Sequence, residues 1–307
     1  MKNLIKLGSA VVFSVILTVI FCSNRVNYGN DMNFYRLTNA DDSDKISNGD
    51  TNHGYPPTAI VLSKAVTDID GNTYDAVQIG SQVWMVENLR TTRYANEKSI
   101  PLGSEKENEN DHSRMNPYRY TPKSNGSDMD NVDIVSSYGY LYNWPAVMNG
   151  TVGSETNPSG VQGICPNGWH VPSNAEWKQL LDYMNTQTIY LVNNHDKHLA
   201  KSLATSWGWK LVDTTRGWLN IEQKEAPGKN INANNATGFS ALPVGCFKDG
   251  FFDFFSYRAF FWSATEDIKN PITMDRAYSY LIYHDEAKVQ ETRQYQNSGL
   301  SVRCIRD

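Results

Sequence analysis

The sequence predicts an α+β fold in which short antiparallel strands surround one well-defined helix. Strand-like segments come first, a helical segment follows and strand-like segments return, without the alternation that a parallel sheet requires. Aromatic residues make up 12% of the 307 residues, which favours strands over helical bundles. No glycine-rich phosphate loop occurs between a predicted strand and a helix, so the doubly wound nucleotide-binding folds are not indicated.

The N-terminus has the pattern of an export signal. Lys2 and Lys6 precede an apolar run, Ala10 to Phe21, that is shorter than the ~20 residues of a membrane span. Cys22 follows directly, which resembles a bacterial lipoprotein signal, in which this cysteine is lipidated and becomes the new N-terminus. Phe21 departs from that pattern, because a small residue is usual there, so an uncleaved signal anchor stays an alternative. Either way we expect an extracytoplasmic protein, anchored through its N-terminus in the cell envelope, at the outer membrane or cell surface.

The composition divides the chain into three segments. Residues 1–22 form the signal peptide, residues 23–59 a flexible tether and residues 60–307 one domain. The tether is rich in Asn and Asp and has no helical or strand period, so it cannot bury enough apolar surface to offset its ordering entropy. The net charge of −5 comes without a basic patch, which argues against nucleic acid as a partner.

A β-meander is predicted at the start of the domain. The Asp70-Gly71 turn separates a first strand from a second over residues 73–79. Gly80-Ser81 then leads into a third strand over residues 82–86. The stretch 95–133 that follows is long and polar, and such stretches inside a domain are usually functional or mobile.

Ser173 and Glu176 form the clearest local signal, a capping box in which the serine hydroxyl and the glutamate satisfy each other's backbone amides. The apolar residues that follow recur at helical spacing: Trp177, Leu180, Leu181 and Met184. The pattern predicts a helix over residues 174–185. A second short helix is expected within residues 198–206.

Short strands are predicted in the rest of the chain, at residues 238–242, 260–263, 277–283 and 300–305, with a turn at 248–250. The order of strands, helix and strands completes the α+β pattern.

An aromatic cluster surrounds the predicted turn at 248–250. Because side chains alternate along a strand, about half of the cluster is expected on the outer face. Phe251, Phe254 and Tyr257 are the candidates for a ligand-binding surface, since exposed aromatic rings stack on sugars or fill a partner's pocket. Phe261 and Trp262 are expected near the core.

Seven short segments carry a resemblance to a known family. They are Asp70–Tyr74, Gln82–Leu89, Tyr140–Trp144, Cys165–Trp177, Thr237–Pro243, Trp262–Glu266 and Ser301–Cys304. In this order, from about Val66 to the last residue, they resemble the Fibrobacter succinogenes major paralogous domain, a family of exported bacterial proteins. The resemblance implies a fold like that of C-type lectins and sulfatase-modifying factors, with twisted antiparallel sheets, one or two helices and long loops.

The resemblance also bears on the cysteines and on activity. It implies a disulfide between Cys165 and Cys304. In the chain-entropy model, closing a loop of this length stabilises the folded state by ~4–5 kcal/mol. The alternative is that both cysteines are buried free thiols. Sulfatase-modifying oxidases of this fold use two neighbouring cysteines, whereas this part of the chain offers only Cys246, which is expected to be a small buried residue. The family has no settled activity, and adhesion to polysaccharide is one suggestion.

Asp128, Asp130 and Asp133 place several carboxylates in one loop and are the metal candidates of the sequence. Calcium takes ~6–8 oxygen ligands, and this run lacks the glycine and distal glutamate of an EF-hand. A solvated acidic loop is therefore favoured, with calcium as the alternative and no other cofactor expected.

The histidines offer little chemistry at the sequence level. His195 and His198 could share one face, but two ligands are too few for a metal site, so a surface patch is favoured. His170, between Trp169 and Val171, is expected to be a satisfied core residue.

These observations favour a surface module that binds a polysaccharide or a surface protein, without catalysis. No Gly-x-Ser-x-Gly nucleophile motif occurs and no catalytic residue is assigned. An oxidase like the formylglycine-generating enzymes and a structural, fimbria-like envelope component are the alternatives.

Overall fold

A computed structural model describes residues 46–48, 59–104, 116–123, 133–213, 215, 219–268 and 275–307. By its internal contacts the chain divides into Met1–Arg36 and Leu37–Asp307, and every described residue lies in the second unit. The expected signal with Cys22, most of the tether, and Asp128 and Asp130 lie outside the described residues. Within the described ranges, no helix is long and apolar enough to cross a membrane.

Short strands dominate the described chain. The strands are β1 Ile46–Asn48, β2 Ile60–Thr67, β3 Thr73–Ile79, β4 Gln82–Met85, β5 Arg119–Tyr120, β6 Leu141–Tyr142, β7 Trp169–His170, β8 Cys246–Lys248, β9 Phe251–Asp253, β10 Arg258–Glu266, β11 Arg276–Tyr283, β12 Gln290–Tyr295 and β13 Ile305–Arg306. The α-helices are α1 Ile134–Tyr138, α2 Trp144–Met148, α3 Asn174–Thr186, α4 Ala200–Leu203 and α5 Ile221–Glu225; short 3-10 turns cover Thr188–Tyr190, Val192–Asn194 and Ile231–Ala233. The α+β class is confirmed.

The largest sheet has six antiparallel strands in the order β1-β2-β3-β4-β13-β7. The predicted meander is its β2-β3-β4 portion. The turn between β2 and β3 forms because the Asp68 carboxylate accepts hydrogen bonds from the backbone amides of Asp70 and Asn72, at 3.0 and 2.9 Å, and from the Tyr74 hydroxyl at 2.6 Å. Gly71 adopts the positive φ of 82° that such a turn requires.

The second sheet is the antiparallel set β10-β11-β12. Its central strand β11 is buried along most of its length, which explains why its apolar pattern was visible in the sequence. Strand β12 was not predicted, because its sequence Gln-Glu-Thr-Arg-Gln-Tyr is polar and half exposed at the edge of the sheet. Two two-stranded sheets, β5-β6 and β8-β9, complete the strands of the described ranges, and the second of them is a hairpin.

Two predicted strands are wrong. Residues 238–242 form a buried loop with one isolated bridge, between Ala204 and Ala241, since Gly238 and Ser240 both take positive φ. Residues 300–305 pair with several different neighbours, and only Ile305 belongs to a regular strand. The second helix, expected within residues 198–206, is reduced to α4 at Ala200–Leu203.

Helix α3 agrees with its prediction to within one residue. The Ser173 hydroxyl accepts the Glu176 amide at 3.2 Å, and the Glu176 carboxylate accepts the Ser173 amide at 2.8 Å, so both halves of the capping box form. The face with Trp177, Leu180 and Met184 is buried.

Arg303 lies at the centre of the core and is fully buried. Its guanidinium donates to the Asn88 side chain at 2.7 Å and to the carbonyls of Met85, Phe239 and Ser240 at 2.7 to 2.9 Å. Its plane lies against the Phe239 ring, 4.9 Å from the centroid. One side chain therefore holds together the end of β4, the 238–242 loop and the segment leading into β13.

The disulfide between Cys165 and Cys304 is present, with both residues buried and Cα atoms 6.0 Å apart. It joins residues 139 positions apart, directly beside Arg303. In the chain-entropy model a loop of this length stabilises the fold by ~4–5 kcal/mol.

Replacing Arg303 by lysine is expected to lower the free energy of unfolding by about 3–5 kcal/mol, the cost of breaking a buried charged network. An ammonium is a point charge that cannot reproduce the forked pattern of donors, so buried carbonyls lose their partners. Urea unfolding measures the effect. The matched control is Arg306→Lys, three residues along at an exposed position; equal stability of both variants would contradict the role assigned to Arg303.

Candidate functional site

The aromatic hairpin, residues 246–258, contains all three candidate ligand-binding aromatics. Strands β8 and β9 pair with Cys246 opposite Asp253 and Lys248 opposite Phe251. The Phe247 ring is buried against Phe252, with centroids 4.8 Å apart, whereas Phe251 points outward and is 72% exposed. The alternation expected from the strand pattern therefore separates an inner from an outer aromatic face.

Tyr257 is the second exposed aromatic of the hairpin. Its side chain is 43% exposed, and its ring meets the His284 ring edge to face at 5.1 Å. It lies at the opposite end of β9 from Phe251, where the chain turns into β10. The contact with His284 orients the tyrosine ring and leaves much of its surface to solvent.

Phe254 occupies a different environment. It is half buried against the main core cluster, and the Arg258 guanidinium covers its ring at 3.6 Å from the centroid. Arg258 also lies over the Tyr283 ring at 4.7 Å. Because one face is packed and the other covered, Phe254 supports the hairpin, and the outer surface consists of Phe251 and Tyr257.

An open groove of about 700 Å³ runs beside α3. It is lined mostly by polar side chains: Ser81, Gln82, Asn157, Lys178, Gln179, Asp182 and Thr186, with Ile79, Ala175 and Tyr183. The Tyr183 ring packs on Gly80, where an added Cβ would lie 2.9 Å from the ring, so only glycine fits. Sequence reasoning missed this groove because its walls come from segments far apart in the chain.

Asp133 is the only one of the three acidic metal candidates among the described residues. Its carboxylate accepts the Ser136 amide at 3.2 Å and caps the N-terminus of α1. Capping the N-terminus of a helix is a sufficient structural role for Asp133.

Cys246 is the one free cysteine of the described ranges, and it is buried, as expected. Burial, and secondarily the charge of Asp253, raises the pKa of its thiol to about 12. The thiolate that redox or nucleophilic chemistry needs is therefore suppressed at neutral pH.

His170 is a satisfied core residue, as predicted. Its Nε2 lies 2.7 Å from the Glu176 carboxylate and its Nδ1 lies 2.6 Å from Asp307. Burial alone would lower the pKa of His170, but the hydrogen bonds with Glu176 and Asp307 outweigh it and raise the pKa. The helix-capping glutamate is thus tied to β7 and to the residue that follows β13.

His195 and His198 do not form the surface patch that the sequence suggested. His198 is buried, and both imidazoles contact the carboxylate of Glu225, which lies 27 residues beyond His198 and is itself buried. Glu225, the partner that the sequence did not predict, is the last residue of α5. The spacing of Asn220 and Gln223, a capping box, is the sequence signal that could have predicted that helix.

The described residues define an α+β domain of antiparallel sheets, closed by a long-range disulfide and carrying an exposed aromatic hairpin and a polar groove. The chain belongs to the Fibrobacter succinogenes major domain family, whose model matches residues 77–306, about three quarters of the chain. No curated protein and no solved structure matches it. The family description carries no function, so function has to be argued from the surface.

Replacing Asp307 by asparagine is expected to lower the pKa of His170, because one of the two carboxylates that stabilise the imidazolium is removed. A raised pKa stabilises the fold below the unfolded-state value of ~6.5, and this contribution is lost as pH rises through the folded-state pKa. The wild type should therefore exceed the variant in stability at pH 6, with a smaller difference at high pH. NMR titration of His170 is the direct measurement.

The control for this titration is Asp249→Asn, a substitution of an exposed carboxylate outside the cluster. A His170 pKa that is the same in Asp307→Asn and wild type would show that Asp307 does not act on the imidazole.

Proposed function

We propose that this protein is an exported binding module of the bacterial cell envelope, anchored through its N-terminus, with polysaccharide as its ligand. The aromatic hairpin is the binding surface in this proposal. The single observation that carries it is Phe251, a large apolar ring 72% exposed at the tip of an otherwise ordered hairpin. Exposed aromatic rings on a rigid support are typical of surfaces that stack against sugars or insert into a partner.

The packing behind the hairpin supports this role. Phe247 stacks on Tyr120 at 4.1 Å and on Phe252, so the inner face is immobilised. Arg258 covers Phe254 and fixes the turn that carries Tyr257. A surface that is already ordered loses little conformational entropy on binding, which favours affinity.

The burial of Cys246 argues for binding over the oxidase alternative. An oxidase of the formylglycine-generating type would need two neighbouring reactive cysteines. Here the Cys246 thiol has a pKa of about 12, and Cys165 and Cys304 are held in a disulfide. Copper analysis of the purified protein, together with Cys246→Ala, tests that alternative.

The proposed architecture is C-type-lectin-like. Its support is the combination of antiparallel sheets, few helices and a disulfide that links the loop before β7 to the segment before β13. The groove beside α3 offers amide, hydroxyl and charged groups to sugar hydroxyls and is a second candidate surface.

Substituting Phe251 or Tyr257 by alanine is expected to weaken polysaccharide binding about tenfold each, the equivalent of 1.4 kcal/mol for one lost stacking contact. Affinity electrophoresis in soluble xylan and sedimentation with cellulose and peptidoglycan are the assays. Ile189→Ala, at a 55% exposed apolar position outside the hairpin, is the matched control.

Retention of full binding by both aromatic variants would exclude the hairpin as the binding surface. Absence of wild-type binding to all three polysaccharides would reject the polysaccharide ligand. Regular polymers on the cell surface that disappear on gene deletion would support the structural alternative.

The lipid anchor has its own test. Cells fed labelled palmitate should incorporate it into the wild-type protein, and Cys22→Ser should abolish both the label and membrane fractionation, because the thiol that carries lipid is gone. Cys246→Ser removes a buried thiol and should leave the label intact. Equal labelling of Cys22→Ser and wild type would refute lipidation at this position.

A further inference from the structure

Three potential metal ligands, none of them a hairpin residue, converge at α5. Nδ1 of His195 lies 2.7 and 2.8 Å from the two carboxylate oxygens of Glu225, and Nδ1 of His198 also contacts this carboxylate. One ligand atom from each residue lies within 4.8 Å of the others. Two ligands of one zinc ion, each ~2.1 Å from it, are at most about 4.2 Å apart, so only a small shift would let all three bind one ion.

The buried position of this cluster distinguishes it from an ordinary surface pair. The Glu225 side chain is fully buried and His198 is 7% exposed, whereas His195 is 45% exposed. Asn193, His195 and His198 all hydrogen-bond to the Glu225 carboxylate.

His198 is oriented as metal-bound histidines are. Its Nε2 faces the carboxylate of Glu222 at 3.5 Å, on the side opposite Glu225. A proton on Nε2 directed at Glu222 leaves the lone pair on Nδ1 directed at the cluster. This carboxylate–histidine arrangement around a ligating nitrogen fixes the tautomer and strengthens the ligand.

The supporting residues are themselves fixed. Glu222 accepts hydrogen bonds from Lys288 at 2.8 Å and from the Ala287 amide at 3.1 Å, and Asn193 donates to Glu225 at 2.7 Å. Lys201 of α4 donates to the Ala226 carbonyl just beyond Glu225. Three separate stretches of chain therefore hold the two glutamates of α5 in place.

In this structure protons link the imidazoles to the Glu225 carboxylate, since the separations of 2.7 and 2.8 Å at His195 are hydrogen-bond distances. His198 contacts Glu225 through Nδ1, and its Nε2 lies 3.5 Å from the Glu222 carboxylate. A divalent ion replaces the Nδ1 protons of both histidines and satisfies the same carboxylate.

We propose that His195, His198 and Glu225 form a binding site for Zn²⁺, with Glu222 as the residue that positions His198. Two imidazoles and one carboxylate suit zinc, whereas calcium and magnesium prefer oxygen ligands. The exposed side at His195 leaves the fourth position to water or an external ligand. The ion would clamp the 193–198 segment to α5, a function independent of ligand binding at the hairpin.

Calorimetric titration of the full chain, free of any polyhistidine tag and stripped with chelator, tests the proposal with zinc chloride alone. One strong site per chain is expected, together with a rise in melting temperature that chelator reverses. Glu225→Gln and His195→Ala should each weaken zinc binding at least 100-fold, and Glu222→Gln about tenfold, as for groups that orient a ligand.

His195→Ala is the most informative variant, because this side chain is half exposed and its loss should disturb the metal-free fold less than Glu225→Gln. His284→Ala removes a histidine outside the cluster and should bind zinc like the wild type. Zinc affinity in Glu225→Gln and His195→Ala equal to that of the wild type would place any zinc elsewhere and overturn the proposal, as would the absence of a strong site in the wild type.

Discussion

The buried guanidinium of Arg303 is the interaction on which the rest of the structure depends. A charge in a protein core is tolerated only when its donors are satisfied. Here Asn88 and the carbonyls of Met85, Phe239 and Ser240 satisfy it. The irregular 238–242 loop owes its buried place to this arrangement, because two of its carbonyls have the arginine as their partner.

The segments by which the family was recognised build this interior. Trp84, Trp177 and Phe239 lie in these segments and share one buried cluster. The Phe239 ring lies against Arg303, and Cys304 follows the arginine directly. The aromatic hairpin tip and the zinc cluster lie outside those segments. This division explains why the family resemblance bears on the scaffold and leaves the ligand to be argued from the surface.

Local signals were predictable from the sequence, and long-range ones were not. The capping box of α3 and the Asp70-Gly71 turn depend on neighbours within a few residues, so their patterns were sufficient. Glu225 contacts His198 across 27 residues, so neither residue signals the other in the sequence. Strand β12 was not predicted, because this exposed edge strand lacks the alternation of apolar and polar residues that indicates a strand.

The position of β13 has a consequence for how the domain is made. This strand lies inside the six-stranded sheet, between β4 and β7, and pairs with residues more than 130 positions earlier. The sheet therefore cannot close until residue 306 has been synthesised, and contacts so distant in sequence slow folding. During synthesis the chain is therefore incompletely folded. In this state it can pass through a pore, bind a chaperone or be cleaved by a protease.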